Sequence, residues 1–265
     1  MLPQIVQGRR PLTSATDLCA IASPKEMPPH HASAVGIVCD PNQAGGAVRE
    51  DGCDVRIIQL WRSPMLVHST LPRSAVNGPG ERAVVWLQGC DLRCPGCWNG
   101  STHAFDRSRD RSVQDVGGWI LSCRGVEGVT FSGGEPFQQA PELYLLCEYV
   151  KSRKPDLSIG VFSGYTLREL AHGQWRWKTH DGDAWVKGNA ALFKHIKQFL
   201  DFGVFGRFRQ SMACRDKPLC GSRNQEVVFF SGRYSQRDLE PQGYEVTISG
   251  DGGIAIITGF PPANL

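Results

Sequence analysis

Residues 82–99 read Arg82-Ala-Val-Val-Trp-Leu87-Gln-Gly-Cys90-Asp-Leu-Arg-Cys94-Pro-Gly-Cys97-Trp-Asn99, an apolar run that ends in three closely spaced cysteines. The apolar part predicts a buried strand, and the cysteines fall in the loop after it. Three thiolates can hold a four-iron cluster by three of its corners and leave the fourth iron open. Gly89 and Gly96 permit backbone angles that a side chain would block, and Pro95 stiffens the turn. His103 is near enough in sequence to complete a Cys3His zinc site instead. Structural zinc sites usually pair two short ligand spacings rather than one triplet and a lone His, so the open-iron reading is favoured.

Outward from this loop, strands and helices alternate. Residues 66–70 and 83–88 read as strands, and Val113, Val116, Ile120 and Cys123 fall on one helical face stopped by Gly125. Cys123 therefore reads as a packed thiol, as does Cys147, which shares an inward face with Leu143, Leu146 and Val150 after Pro141. Further strands are expected at 126–132, 157–162, 203–205, 227–230, 244–248 and 254–257, with helices at 166–170 and 190–199. Alternation of this kind predicts an α/β fold whose mostly parallel sheet carries covering helices. Its ligands then sit at the carboxyl ends of the strands, where both the cysteine loop and the Gly133-Gly134 turn fall.

Several stretches, in order, resemble the radical S-adenosylmethionine (SAM) enzymes, and within them the small activating enzymes of anaerobic ribonucleotide reductase and pyruvate formate-lyase. They are Val76-Asn-Gly-Pro-Gly80, the cysteine loop, Thr130-Phe-Ser-Gly-Gly-Glu-Pro136, Phe162-Ser-Gly-Tyr-Thr166, Asp201-Phe-Gly-Val-Phe-Gly206 and Gly221-Ser-Arg-Asn-Gln225. The resemblance implies an incomplete TIM-type barrel over residues 61–265, with Cys90, Cys94 and Cys97 holding a [4Fe-4S] cluster. It implies that SAM binds the open iron and is cleaved by one electron to methionine and a 5′-deoxyadenosyl radical, which abstracts hydrogen. Gly133, Gly134 and Glu135 match positions at the methionyl end of SAM, while Gly96 and Trp98 belong with the cofactor, Trp98 where an aromatic ring lies against adenine or simply packs. The implied partners are a glycyl radical enzyme and a flavodoxin- or ferredoxin-type electron donor.

A second reading keeps the radical chemistry but directs it at a small molecule or peptide. An epimerase needs a thiol to return hydrogen, and Cys214 or Cys220 could serve; Cys220 stands where the family more often carries Arg. A third reading, a passive iron-sulfur or zinc protein, leaves the glycine motifs without a purpose.

The 265 residues carry 29 basic and 26 acidic side chains, a net charge of +3, too small an excess to argue for nucleic acid. The basic clusters at 107–111 and 207–215 read as solvated faces. No apolar run is long enough for a membrane span or a secretion signal, and ten cysteines without such a signal fit a reducing cytoplasm. Residues 1–60 are rich in Pro, Gly, Ser and Ala without periodicity and read as a loop-rich extension, or as an artefact of start-codon choice given Met65. The segment 172–187 holds Trp175, Trp177 and Trp185; it reads equally as a partner-contacting loop and as packing.

Overall fold

The strand after Gly80 is buried along its whole length because it lies between two other strands of a seven-stranded sheet. A computed structural model describes residues 4–7, 63–180, 184–241, 243–248 and 254–260. Its strands and helices run in the order β1 (Gln4–Gln7), β2 (Pro64–Ser74), β3 (Arg82–Leu87), β4 (Asp110–Ser112), α1 (Val113–Ser122), β5 (Gly128–Gly133), α2 (Ala140–Arg153) and β6 (Ser158–Ser163). There follow α3 (Leu167–Ala171), β7 (Arg176–Lys178), β8 (Trp185–Lys187), α4 (Ala190–Lys197), β9 (Phe202–Phe205), β10 (Glu226–Phe229), β11 (Tyr244–Ile248) and β12 (Ile254–Gly259).

The large sheet has the order β10-β9-β6-β5-β3-β2-β4. Its middle strands β9, β6, β5 and β3 are parallel, as the alternation predicts, and antiparallel strands flank them. β3 and β5 end level, with Leu87 opposite Gly133. The cysteine loop and the glycine turn therefore leave the sheet side by side.

Helix starts follow local chemistry: Ser112 caps α1 by accepting from the Asp115 N–H, Thr166 and Glu169 form a reciprocal capping box on α3, and Asn189 accepts from Leu192 at α4. The inward residues of α1, α2 and α4, including Val116, Ile120, Leu143, Leu146, Phe193 and Ile196, share one core with Val85, Val129, Phe131 and Val161 of the sheet. Cys123 and Cys147 belong to that core as expected. Burial pushes the Cys147 thiol up to about 12.

The structure bears on three further sequence expectations. β2 begins before Met65, which is fully buried inside the strand rather than standing ahead of it. Of the segment 1–60, only β1 lies among the described residues, and it pairs antiparallel with β12. The segment 172–187, which reads equally as a partner-contacting loop and as packing, contains a hairpin, β7 with β8.

Packing decides the case of Trp175. It is 4% exposed, lies edge-on to Phe137 at 6.0 Å between centroids, and donates its indole N–H to Leu170 O at 3.2 Å. Gly188 lies beneath the ring, where an added Cβ would come within 2.2 Å. Trp175→Ala is expected to lower stability by about 3–5 kcal/mol, read as a fall in the urea midpoint with an unchanged slope. A stability loss within about 1 kcal/mol would contradict the packing assignment.

Candidate functional site

A cavity of about 740 Å³, part of it open to solvent, lies at the carboxyl ends of the parallel strands. Cys90, Cys94, Cys97 and Trp98 line it from the loop after β3, Ser132 to Glu135 from the end of β5, and Phe162 to Gly164 from the end of β6. Gly206 and Phe208 add the end of β9.

Backbone hydrogen bonds weld the cysteine loop to the glycine turn. The Gly134 N–H donates to Leu87 O at 2.7 Å, and the Glu135 N–H to Gly89 O at 2.9 Å. Cys90 N–H donates to His103 O at 3.1 Å, Cys97 N–H to Cys94 O at 3.0 Å, and Asn99 Nδ2 to Gly133 O at 3.2 Å. The need for glycine here comes from neighbouring backbone. At Gly133, with φ +96°, a Cβ would lie 2.6 Å from Leu87 N and O, and at Gly134 it would lie 2.3 Å from Gly89 O. A side chain at either position would push β5 away from the root of the cysteine loop, whether or not a ligand is bound.

Glu135 is buried and bridges two strand ends. Its Oε1 accepts from Phe137 N at 3.0 Å and Ser163 Oγ at 2.8 Å, and its Oε2 from Gly164 N at 2.7 Å. Burial pushes its carboxyl up to about 7, against those hydrogen bonds and the charge of Arg207, which favour the ionised form. The same burial pushes the Cys90 thiol up to about 12, with the Glu135 charge adding to it, and raises Cys94 and Cys97.

Of the residues singled out in the sequence, the three cysteines, Trp98, Gly133, Gly134 and Glu135 come together around this cavity. Gly96 is exposed at φ +68° with its Cα against Gln210, where a Cβ would lie 2.9 Å from Oε1, and it does not line the cavity. Cys214 and Cys220 do not line it either. Cys214 Sγ lies 3.8 Å from Cys220 O, and the buried Cys220 directs its Sγ to Gln225 O at 3.6 Å, with its thiol pushed up to about 11 by burial.

Other residues at the site were not picked out from sequence. Asp91, next to Cys90, pairs with Arg176 of the hairpin, and its N–H donates to Gln138 Oε1 at 3.0 Å. Gln138 Nε2 also donates to Tyr165 Oη at 3.1 Å. This network ties the cysteine loop to the turn before α2, to the second residue after β6 and to β7. Only chain folding brings these partners together, since Asp91 and Arg176 are 85 positions apart. Phe162, Phe208, Leu219 and Phe260 also line the cavity. Phe162 lay in a quoted motif; Leu219 and Phe260 had no local signal.

The donor set can be tested against a cluster. Among the described residues no three His, Cys, Asp or Glu side chains converge tightly enough to hold one metal ion. A single zinc would need such convergence with His103. A four-iron cluster needs instead three thiols bordering one cavity, and Cys90, Cys94 and Cys97 all line this one. The residues fit that group.

The profile of the family described as 4Fe-4S single cluster domain matches residues 76–228. The anaerobic ribonucleoside-triphosphate reductase-activating protein of Vibrio cholerae is 30% identical over 176 residues, which cover 63% of this chain and 99% of the relative. Its namesake in Escherichia coli is 31% identical over 119 residues, 42% of this chain and 75% of the relative. The pyruvate formate-lyase-activating enzyme of Listeria monocytogenes is 39% identical over 90 residues, 31% of this chain and 36% of the relative.

Proposed function

We propose, from the premise that this chain belongs to the 4Fe-4S single cluster domain family and to its radical SAM activating enzymes, that it installs a glycyl radical on a partner enzyme such as an anaerobic ribonucleotide reductase. The observation that carries this reading is the sharing of one cavity by three thiols and the Gly133-Gly134-Glu135 turn. When bound, the cluster supplies one electron that splits SAM into methionine and a 5′-deoxyadenosyl radical, which takes a hydrogen atom from the partner's glycine to give 5′-deoxyadenosine.

The chain's own residues bind and orient. Cys90, Cys94 and Cys97 would hold the cluster as thiolates and would release their protons on binding it. The Gly134 and Glu135 amides are spent on β3 and the loop root, so the carbonyl oxygens of the turn are what a methionyl ammonium, a pure donor, can use. Glu135 holds the ends of β5 and β6 in register beside that group. Trp98 offers a ring to adenine, and Phe162 and Phe208 keep water from the reacting carbon. Gly96 contributes through the loop's backbone path.

The domain is read as residues 61–265, an incomplete barrel: α1, α2 and α4 cover one face of the sheet, while the cavity takes the other face's carboxyl ends. Among the described residues no helix is long and apolar enough to cross a membrane. A cytoplasmic setting, with a flavodoxin- or ferredoxin-type protein as the electron source, suits an oxygen-sensitive cluster. The epimerase alternative requires a thiol facing the bound substrate, and the positions of Cys214 and Cys220 outside the cavity lining favour the activase.

Anaerobic reconstitution with iron and sulfide, followed by dithionite and SAM, is expected to yield 5′-deoxyadenosine and methionine in equal amounts. A protein that carries the cluster yet releases no 5′-deoxyadenosine would sink the proposal.

A further inference from the structure

The cavity lining is of two kinds. The cysteine loop and the end of β5 present thiols and backbone carbonyls, whereas Phe162, Phe208, Leu219 and Phe260 present only carbon. Among the described residues Glu135 is the one Asp, Glu, Lys or Arg in the lining, and both its oxygens already accept hydrogen bonds. A charged group pressed against these four side chains would find no charged partner among them.

Two of these side chains are held by devices separate from the cysteine loop and the end of β5. Leu219 is 8% exposed at φ +59°, a left-handed backbone that a branched side chain seldom adopts. The surrounding loop is stapled into that shape. Gln225 Oε1 accepts from Gly221 N at 2.8 Å and Ser222 N at 3.1 Å, its Nε2 donates to Gly206 O at 2.9 Å, and Lys217 Nζ donates to Arg223 O at 3.2 Å. Backbone held off its minimum at a cavity wall points to a use for the side chain it presents.

Phe260, 7% exposed, comes from the end of β12, beyond the stretch 76–228 that the family profile covers. Its N–H donates to Gly243 O at 2.8 Å. Asn77 Nδ2 donates to Thr258 Oγ1 at 2.9 Å, and Gly259, at φ +90°, packs on Val76. A segment outside the shared domain is thus docked on that domain's first residues and delivers one aromatic ring into its cavity.

Resting on the activating-enzyme reading, we propose that Phe260 and Leu219 are the specificity-determining residues for the macromolecular substrate, selecting a peptide segment by an apolar side chain adjacent to the glycine that gives up hydrogen. A glycine has no side chain to recognise, so selection among glycines must read its neighbours. The carbon lining of the cavity can read an apolar neighbour by burying it and reject a charged one by leaving it unpaired.

The test uses the reconstituted full chain with dithionite, SAM and synthetic twelve-residue peptides whose central glycine is deuterated at Cα. The neighbour of that glycine is Leu, Phe, Ser or Lys. Deuterium in 5′-deoxyadenosine, read by mass spectrometry, reports abstraction from the glycine alone. The proposal expects kcat/KM for the Leu or Phe peptide to exceed that for the Lys peptide by roughly tenfold or more. Phe260→Ala and Leu219→Gly should each collapse this ratio, and Phe260→Leu should keep most of it. The ratio is taken within each variant, so a change in overall rate does not imitate the effect. Leu219→Gly also suits the left-handed backbone, which keeps one informative variant folded if Phe260→Ala is not.

Equal use of all four peptides, transfer from none of them while SAM is still cleaved, or an unchanged ratio in both Phe260→Ala and Leu219→Gly would overturn the assignment. Absence of 5′-deoxyadenosine from the wild-type protein carrying its cluster would instead overturn the activating-enzyme reading beneath it.

Discussion

Replacing any one of Cys90, Cys94 and Cys97 with alanine is expected to abolish reductive SAM cleavage and most of the visible absorbance of the reconstituted protein. A cluster held by three corners has no spare ligand, and the other cysteines among the described residues stand elsewhere. Cys123 and Cys147 are packed in the helix-side core, and Cys214 and Cys220 do not line the cavity. Changes to groups that merely support metal ligands already cost about 10–100-fold, so loss of a direct ligand should exceed that. Cys214→Ser is the matched control and is expected to keep both absorbance and cleavage. Iron and sulfide analysis beside 5′-deoxyadenosine release checks the pair. Full cleavage by a Cys94→Ala protein would remove the triplet from the mechanism.

Arg82→Met is expected to be the most destabilising single change in the sheet, at about 3–5 kcal/mol. Arg82 is wholly buried, and its Nε donates to Thr130 Oγ1 at 2.7 Å. Its Nη1 donates to Pro79 O at 3.0 Å, and its Nη2 to Val129 O at 2.8 Å and Ser158 Oγ at 3.0 Å. The guanidinium also lies 4.9 Å from the centroid of the Phe202 ring. Burial lowers its pKa, with the nearby Tyr234, Glu127 and Asp201 acting in the opposite direction, but guanidinium stays charged at any working pH. A methionine fills similar volume and strands the acceptors of β5 and β6 without a donor. For a chain of this size the cost corresponds to a melting temperature lower by roughly 10 °C. Arg82→Lys should recover only part of it, because an ammonium cannot reproduce the planar fork. A shift under about 2 °C for Arg82→Met would contradict this account.

Arg82 also shows where sequence reading stops. In sequence it is one more basic residue at a strand start; in the fold it links β3, β5 and β6 from the end of the sheet opposite the cavity. The parallel core was legible because buried strands are continuous apolar runs and helices repeat their apolar positions every three to four residues. The hairpin of β7 and β8 was not. Trp175, just before it, packs against Phe137, its Arg176 pairs with Asp91, and neither contact has a local sequence signature. The glycine turn was legible in place and only partly in reason. Gly133 and Gly134 do border the cavity, yet what forbids a side chain there is the backbone of Leu87 and Gly89.

The sequence by itself determined the chemistry: three thiols at short spacing and a glycine pair at a strand end are local patterns, set by the reach of a few residues of chain. Tertiary structure alone decided which residues surround that chemistry. It turned Cys214 and Cys220 away from the cavity lining, left Gly96 on the surface and brought Leu219 and Phe260 into the wall. Those outcomes depend on strand order, loop stapling and the docking of β12 beside Val76 and Asn77, contacts between residues far apart in the chain that no short window of sequence encodes.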